Sequence, residues 1–219
     1  WASIDWYRGY NRTFLISPPN RRRPTRAFIS PNRIVGGNRD HRVLFLYHIF
    51  RNNLENNAIS APRICPVEQV DIASIAEKYL DVYPDIVQTL TRANLPRTFS
   101  GETTQLMSSH HLTNFSECSD SLFYAVTETV YWGQRTHLTE KTFDPLIRGH
   151  FILPFSNCGF IKFMQDEYDF KFPNFIDYSY DSIADDQQRF NCYAEEIARL
   201  MALDIDTWRQ ARSDNIQLI

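Results

Sequence analysis

Two short β-forming runs, Ala27-Phe28-Ile29-Ser30 and Ala58-Ile59-Ser60, bracket a stretch of helical spacing, and this most constrains the fold. Val43, Leu46, Tyr47 and Phe50 recur at three- and four-residue intervals from His41 until the pattern ends near Asn52-Asn53. Pro31-Asn32 closes the first strand and Pro62 stops the second. A strand, a helix and a strand in that order make a β-α-β unit, whose natural consequence is a parallel sheet.

The alternation returns in the second half. Leu122 to Val126 is strongly β-forming and ends in Thr127-Glu128. Thr139-Glu140-Lys141 then opens a helix through Ile147, with Gly149 as its C-cap. Phe151-Ile152-Leu153-Pro154 is the next strand, followed by a helix from about Gly159 to Gln165. Phe175-Ile176-Asp177 reads as a last short strand, 184–203 as a long helix, and Asp206 as the cap of another. The middle is coarser: 70–80 has helical spacing, Pro84 opens a short helix, and 94–111 reads as loop and extension. The expectation is an open, doubly wound, Rossmann-like parallel α/β sheet. It divides the chain into 1–25, an irregular segment or the remnant of a preceding domain, an α/β domain over 26–205 and a C-terminal helix over 206–219.

Composition narrows the ligand chemistry. Gly is scarce, 7 in 219 residues, and there is no G-x-G-x-x-G turn or Walker loop, so any phosphate must be held by side chains and helix ends. The net charge of −3 argues against nucleic acid as a partner, and Arg21-Arg22-Arg23 with Arg26 reads as a solvated loop. The four cysteines stand far apart, which favours reduced thiols and a cytoplasmic setting over a disulfide framework. No apolar run reaches the length of a membrane span. The chain begins at Trp1 and reads as a fragment or trimmed sequence. Asp204-Ile205-Asp206 has the form of a metal-binding Asp-x-Asp, but it interrupts helical sequence and fits a helix cap better. His110, His111 and His137 lack ligand spacing. No metal or cofactor is expected.

Ligands of open parallel sheets sit at the carboxyl ends of the strands. Two clusters fall there. The first is Asn32 and Arg33 through Arg39, His41 and Arg42. The second is Glu128 with Thr139, Glu140 and Lys141. A cation in the first turn of a helix opposes the helix dipole, so Arg42 and Lys141 make sense if a phosphate faces them. Glu140 could accept from adjacent sugar hydroxyls. The plainer alternatives are a surface loop of paired arginines and a helix capped by Thr139.

The ordered set from Leu122 to Glu128, then Thr139-Glu140-Lys141, a helix and Phe151 to Pro154 resembles the donor half of fucosyltransferase-like GT-B glycosyltransferases. There a strand exit, a Thr-Glu-Lys helix and a short strand follow one another. The resemblance implies that Glu140 holds a nucleotide ribose, Lys141 the diphosphate, and Arg42 a phosphate. A nearer resemblance is to uncharacterised microbial and viral glycosyltransferase-like proteins. It rests on Asn32-Arg33, His41-Arg42, Thr139 to Phe143, and Ile176-Asp177-Tyr178-Ser179-Tyr180-Asp181 with Arg189 beyond. It covers roughly residues 26–200. Thr129 stands where fucosyltransferases have Asn, and the loop to Glu140 is longer.

The resemblance implies a metal-independent glycosyltransferase donor domain that binds a nucleotide-diphosphate sugar. Asn32, Arg33, Arg39, Arg42, Thr139, Glu140 and Lys141 would bind it, and Glu128 would act at the sugar as the catalytic candidate. Its partner would be a glycan or lipid-linked acceptor, with a missing N-terminal acceptor domain. The rival readings are a non-catalytic sugar-nucleotide or carbohydrate-binding module, and an arginine-mediated nucleic-acid-binding protein.

Overall fold

The computed structural model describes residues 24–99, 117, 120–147 and 150–215, and the structural statements below concern these. Four strands, β1 (Arg26–Pro31), β2 (Ala58–Ser60), β3 (Ser121–Thr127) and β4 (Phe151–Phe155), form one sheet in the order β2-β1-β3-β4. Every pairing is parallel, with Ile29 opposite Ala58, Phe28 opposite Phe123 and Phe123 opposite Phe151. The helices are α1 (His41–Arg51), α2 (Ile72–Ala76), α3 (Ile86–Arg92), α4 (Glu140–Ile147), α5 (Phe160–Tyr168), α6 (Asp186–Met201) and α7 (Ile205–Asn215).

Side-chain alternation along the strands sends their residues to two cores. Phe28, Ile59, Phe123, Ala125, Phe151, Leu153 and Phe155 meet α1, α2, α3, α6 and α7. Ile29, Ala58, Tyr124, Val126 and Ile152 form a second core that Leu146 of α4 joins, and α5 packs beyond it against Leu146. With helices on both faces, the strands are buried except for the half-buried Arg26, Ala27 and Leu122 at the amino ends of two of them, as parallel strands tend to be. Trp208 carries α7 into the first core, stacking on Phe123 at 5.5 Å.

Two local expectations change. Residues 70–80 do not make one helix: α2 ends at Ala76 and a 3-10 turn, Glu77–Tyr79, follows. Phe175-Ile176-Asp177 is not a strand. The Asp177 N–H donates to Glu196 Oε1 at 2.9 Å and the Phe175 carbonyl accepts from Arg199 at 2.6 Å, so α6 side chains satisfy backbone that a neighbouring strand would otherwise have to pair. The chain turns instead into a 3-10 segment, Ser179–Ser182. The expected Gly149 cap, and residues 1–23 of the irregular N-terminal segment, lie outside the described residues. None of the helices described is long and apolar enough to cross a membrane.

Candidate functional site

The chain leaves β1 towards β2 on one side, and later returns to place β3 on β1's other side. The carboxyl ends of β1 and β3 therefore form the switch point of the sheet, the place where open parallel sheets bind their ligands. Both sequence clusters converge there. The Asn32 amide joins the two strand exits: its Oδ1 accepts from Thr127 Oγ1 at 2.7 Å, and its Nδ2 donates to Ser30 Oγ at 3.1 Å.

Arg42 faces inward from the first turn of α1 and is 3% exposed. Its guanidinium donates to the carbonyls of Ile34 at 2.7 Å, Thr127 at 2.8 Å and Glu128 at 3.2 Å. Carbonyl dipoles thus provide the compensation that a phosphate was expected to supply. Arg42 is a positioning residue that ties the β1–α1 loop to the exit of β3. His41 beside it puts Nε2 2.9 Å from the Glu128 carbonyl and stacks on Tyr131 at 5.2 Å. Burial, and then the Arg42 charge, hold its pKa well below the ordinary histidine range, so the ring is neutral and donates from Nε2.

Glu128 departs most from expectation. The resemblance places it at the sugar, yet it is fully buried. Its carboxylate accepts from Thr139 Oγ1 at 2.7 Å, Thr142 Oγ1 at 2.5 Å, and the N–H groups of Thr129 at 3.1 Å and Thr139 at 3.4 Å. It is the anion at the start of α4, a place the helix dipole favours. Thr139 acts as a cap as well, since its Oγ1 accepts from the Lys141 N–H at 3.3 Å. Lys141 Nζ also lies 3.3 Å from that hydroxyl, so its charge sits one residue away from the Glu128 carboxylate. Glu140 is the first residue of α4.

The half-buried rim holds Arg33, Arg39 and Lys141. The Arg39 guanidinium makes no hydrogen bond or ion pair among the described residues, and its charge helps depress the His41 pKa. The expected site residues therefore separate into two layers. Asn32, Arg42, Glu128 and Thr139 are a buried scaffold, while Arg33, Arg39 and Lys141 remain at the surface.

Residues that the sequence left without a role at the site complete it. Asp40, 6% exposed, receives the Trp132 Nε1–H and pairs with Lys78. Arg189, 1% exposed, lies over the Tyr131 ring at 4.4 Å and donates to the carbonyls of Ser156 at 3.2 Å and Tyr131 at 3.3 Å. It clamps the loop after β3 to the exit of β4. Glu68, from the loop after β2, rests its carboxylate on the Gly36-Gly37 turn. A Cβ at Gly37 would meet Glu68 Oε1 at 3.0 Å, and one at Gly36 would collide with the carboxylate. The Gly-Gly pair, unique in the chain, was the available signal, because such a pair marks a close approach.

The other candidates resolve into structure. Asp204 Oδ1 accepts from the N–H groups of Asp206 at 2.9 Å and Thr207 at 2.8 Å, so the Asp-x-Asp is a helix cap, but Asp204 and not Asp206 caps α7, and Asp206 lies in its first turn. Cys65, Cys158 and Cys192 are free thiols. Compared with known proteins, the chain matches no family model, no curated protein and no solved structure.

Proposed function

We propose that this domain binds a nucleoside diphosphate at the β1/β3 switch point, as the donor half of a glycosyltransferase that uses a nucleotide-diphosphate sugar. The observation that carries the reading is the unbroken contact path from Arg42 through Glu128 and Thr139 to Lys141. It draws cations from two segments about a hundred residues apart to one edge of a doubly wound sheet, where ligands of such sheets lodge.

In this reading Arg33, Arg39 and Lys141 face the diphosphate. Their charges stabilise the negative charge that develops on the nucleotide as it leaves the sugar. The buried layer holds those cations in place: Glu128 fixes the start of α4, and Arg42 fixes the loop that carries Arg33 and Arg39. Binding then needs no divalent ion.

A thermal-shift series with nucleosides and nucleoside diphosphates, without divalent metal, tests this. The expected result is a higher melting temperature with a diphosphate and a smaller shift with its nucleoside. Lys141→Ala should weaken diphosphate binding roughly ten- to a hundredfold, the value of one charged hydrogen bond, and leave nucleoside binding nearly unchanged. A melting curve unmoved by every diphosphate at millimolar concentration overturns the reading.

A further inference from the structure

We propose that Arg135, carried on the loop between β3 and α4, is a further phosphate-contacting residue of the switch-point site. This deepens the reading above and rests on it. Arg135 belongs to neither cluster recognised in the sequence and stands between Glu128 and Thr139.

The loop is a bow held at three points. Near its start, Ser156 Oγ donates to the Val130 carbonyl at 3.2 Å. In its middle, the Trp132 indole N–H donates to Asp40 Oδ1. At its far end, Asn157 Nδ2 donates to Thr136 Oγ1 at 3.1 Å, and Asn157 is itself buried. Ser156 and Asn157 follow β4, Asp40 follows β1, and those two strands flank β3 on opposite sides. The bow therefore has both feet on the β4 exit and reaches towards β1 through Trp132, which carries it past the exit of β3. Its crest, Gly133-Gln134-Arg135, is exposed. Gly133, at φ +78°, turns the chain there, and a Cβ on it would meet nothing within 4 Å. Backbone conformation, not crowding, is what favours glycine at the crest.

The charge on the crest is uncompensated. The Arg135 guanidinium makes no hydrogen bond or ion pair among the described residues, and no acidic residue stands between Glu128 and Glu140. Asp40 directly follows Arg39, so the Trp132 contact fastens the bow beside that rim cation. The far foot leads on to Thr139 and Lys141 within the same connection. A guanidinium forks onto phosphate oxygens, which makes arginine suited to an anion held between these cations. Because the anchors already order the backbone, meeting an anion restricts little beyond the arginine side chain, and such preorganisation favours binding.

Isothermal titration of the full chain with guanosine, uridine, adenosine and cytidine diphosphates and the matching nucleosides tests this. Arg135→Ala should weaken diphosphate binding roughly tenfold or more and leave nucleoside binding unchanged. Arg135→Lys keeps the charge without the fork and should recover part of the loss. Thr136→Val releases one foot of the bow. It should weaken diphosphate binding by less, and add nothing in combination with Arg135→Ala, because that anchor acts through the arginine. Diphosphate affinity unchanged in Arg135→Ala but reduced in Lys141→Ala overturns the proposal and leaves the diphosphate site standing. Equal losses of diphosphate and nucleoside in Arg135→Ala also overturn it, since they report a collapsed loop. If the wild type binds no diphosphate, the nucleotide reading falls and this inference with it.

Discussion

At the residue scale, the recurring theme is charge turned inward. Glu128 and Arg42 look in the sequence like ligand-contacting residues, since each is a charge at a strand exit or helix start. The structure spends both on the protein. A buried carboxylate with four donors is a stability device: leaving those donors unmatched costs more than the hydrogen bonds themselves are worth. Glu128→Gln keeps the volume but places an amide NH2 among hydroxyl and N–H donors. The expected destabilisation is about 1.5–3 kcal/mol, or roughly 3–12 °C in melting temperature for a chain of this size. Scanning calorimetry checks it. A Glu128 that served substrate from a solvated crevice would instead lose activity and melt with the wild type.

At the scale of elements, the sequence was most legible where periodicity and β-forming runs coincide. Strands expected at 27–30, 58–60, 122–126 and 151–154 are found as Arg26–Pro31, Ala58–Ser60, Ser121–Thr127 and Phe151–Phe155. Buried parallel strands are near-continuous apolar runs, and little else in a sequence resembles them. The false strand at Phe175-Ile176-Asp177 has the same local composition, but side chains of α6 and the Pro173 carbonyl, not a neighbouring strand, meet its backbone. Strand composition alone does not reveal whether a partner strand stands alongside. The site was half-legible for a related reason. Spacing placed the cations at helix starts correctly, yet burial, which separates Arg42 from Arg39, depends on contacts with residues more than eighty positions away. Glu68 and Asp40 carry no local signal beyond the glycine pair they adjoin. Asp181 shows how one such distant contact secures an element. Its carboxylate accepts from the N–H groups of Ile161 at 2.9 Å and Lys162 at 3.2 Å, closing the start of α5. Asp181→Ala should raise amide exchange at Ile161 and Lys162 by roughly tenfold, the value of about 1–2 kcal/mol for a lost cap, and leave the strands protected. Unchanged exchange there would show that α5 is held by packing alone.

At the scale of the whole molecule, α1 joins the strand switch point to the larger core, and its two histidines make the fold sensitive to acid. His41 is fully buried beside Arg42, and its pKa lies well below the usual value of 6.5. Burial, with Arg51 nearby, lowers His48 to about 4. Both groups are neutral in the fold and take up protons more readily once unfolded. Each therefore contributes stability that is complete above the unfolded pKa, near 6.5, and lost as pH falls below it. Well below that point each histidine removes about 1.4 kcal/mol per pH unit. Burial raises the Asp181 carboxyl above the ordinary aspartate range, so its protonation acts in the opposite sense, adding stability as pH falls through its folded pKa. Urea unfolding at pH 7.5, 6.5 and 5.5 should show stability nearly level over the first step and declining over the second. His48→Gln should reduce the decline while leaving that due to His41. The His48 ring packs edge-on against Phe190 at 6.2 Å, so a parallel measurement at pH 7.5 separates the packing lost by the change from the lost pH dependence. A midpoint that stays flat from pH 7.5 to 5.5 would mean that His41 accepts a proton without losing its place beneath Tyr131. The tie between α1 and the exit of β3 would then not depend on a neutral ring.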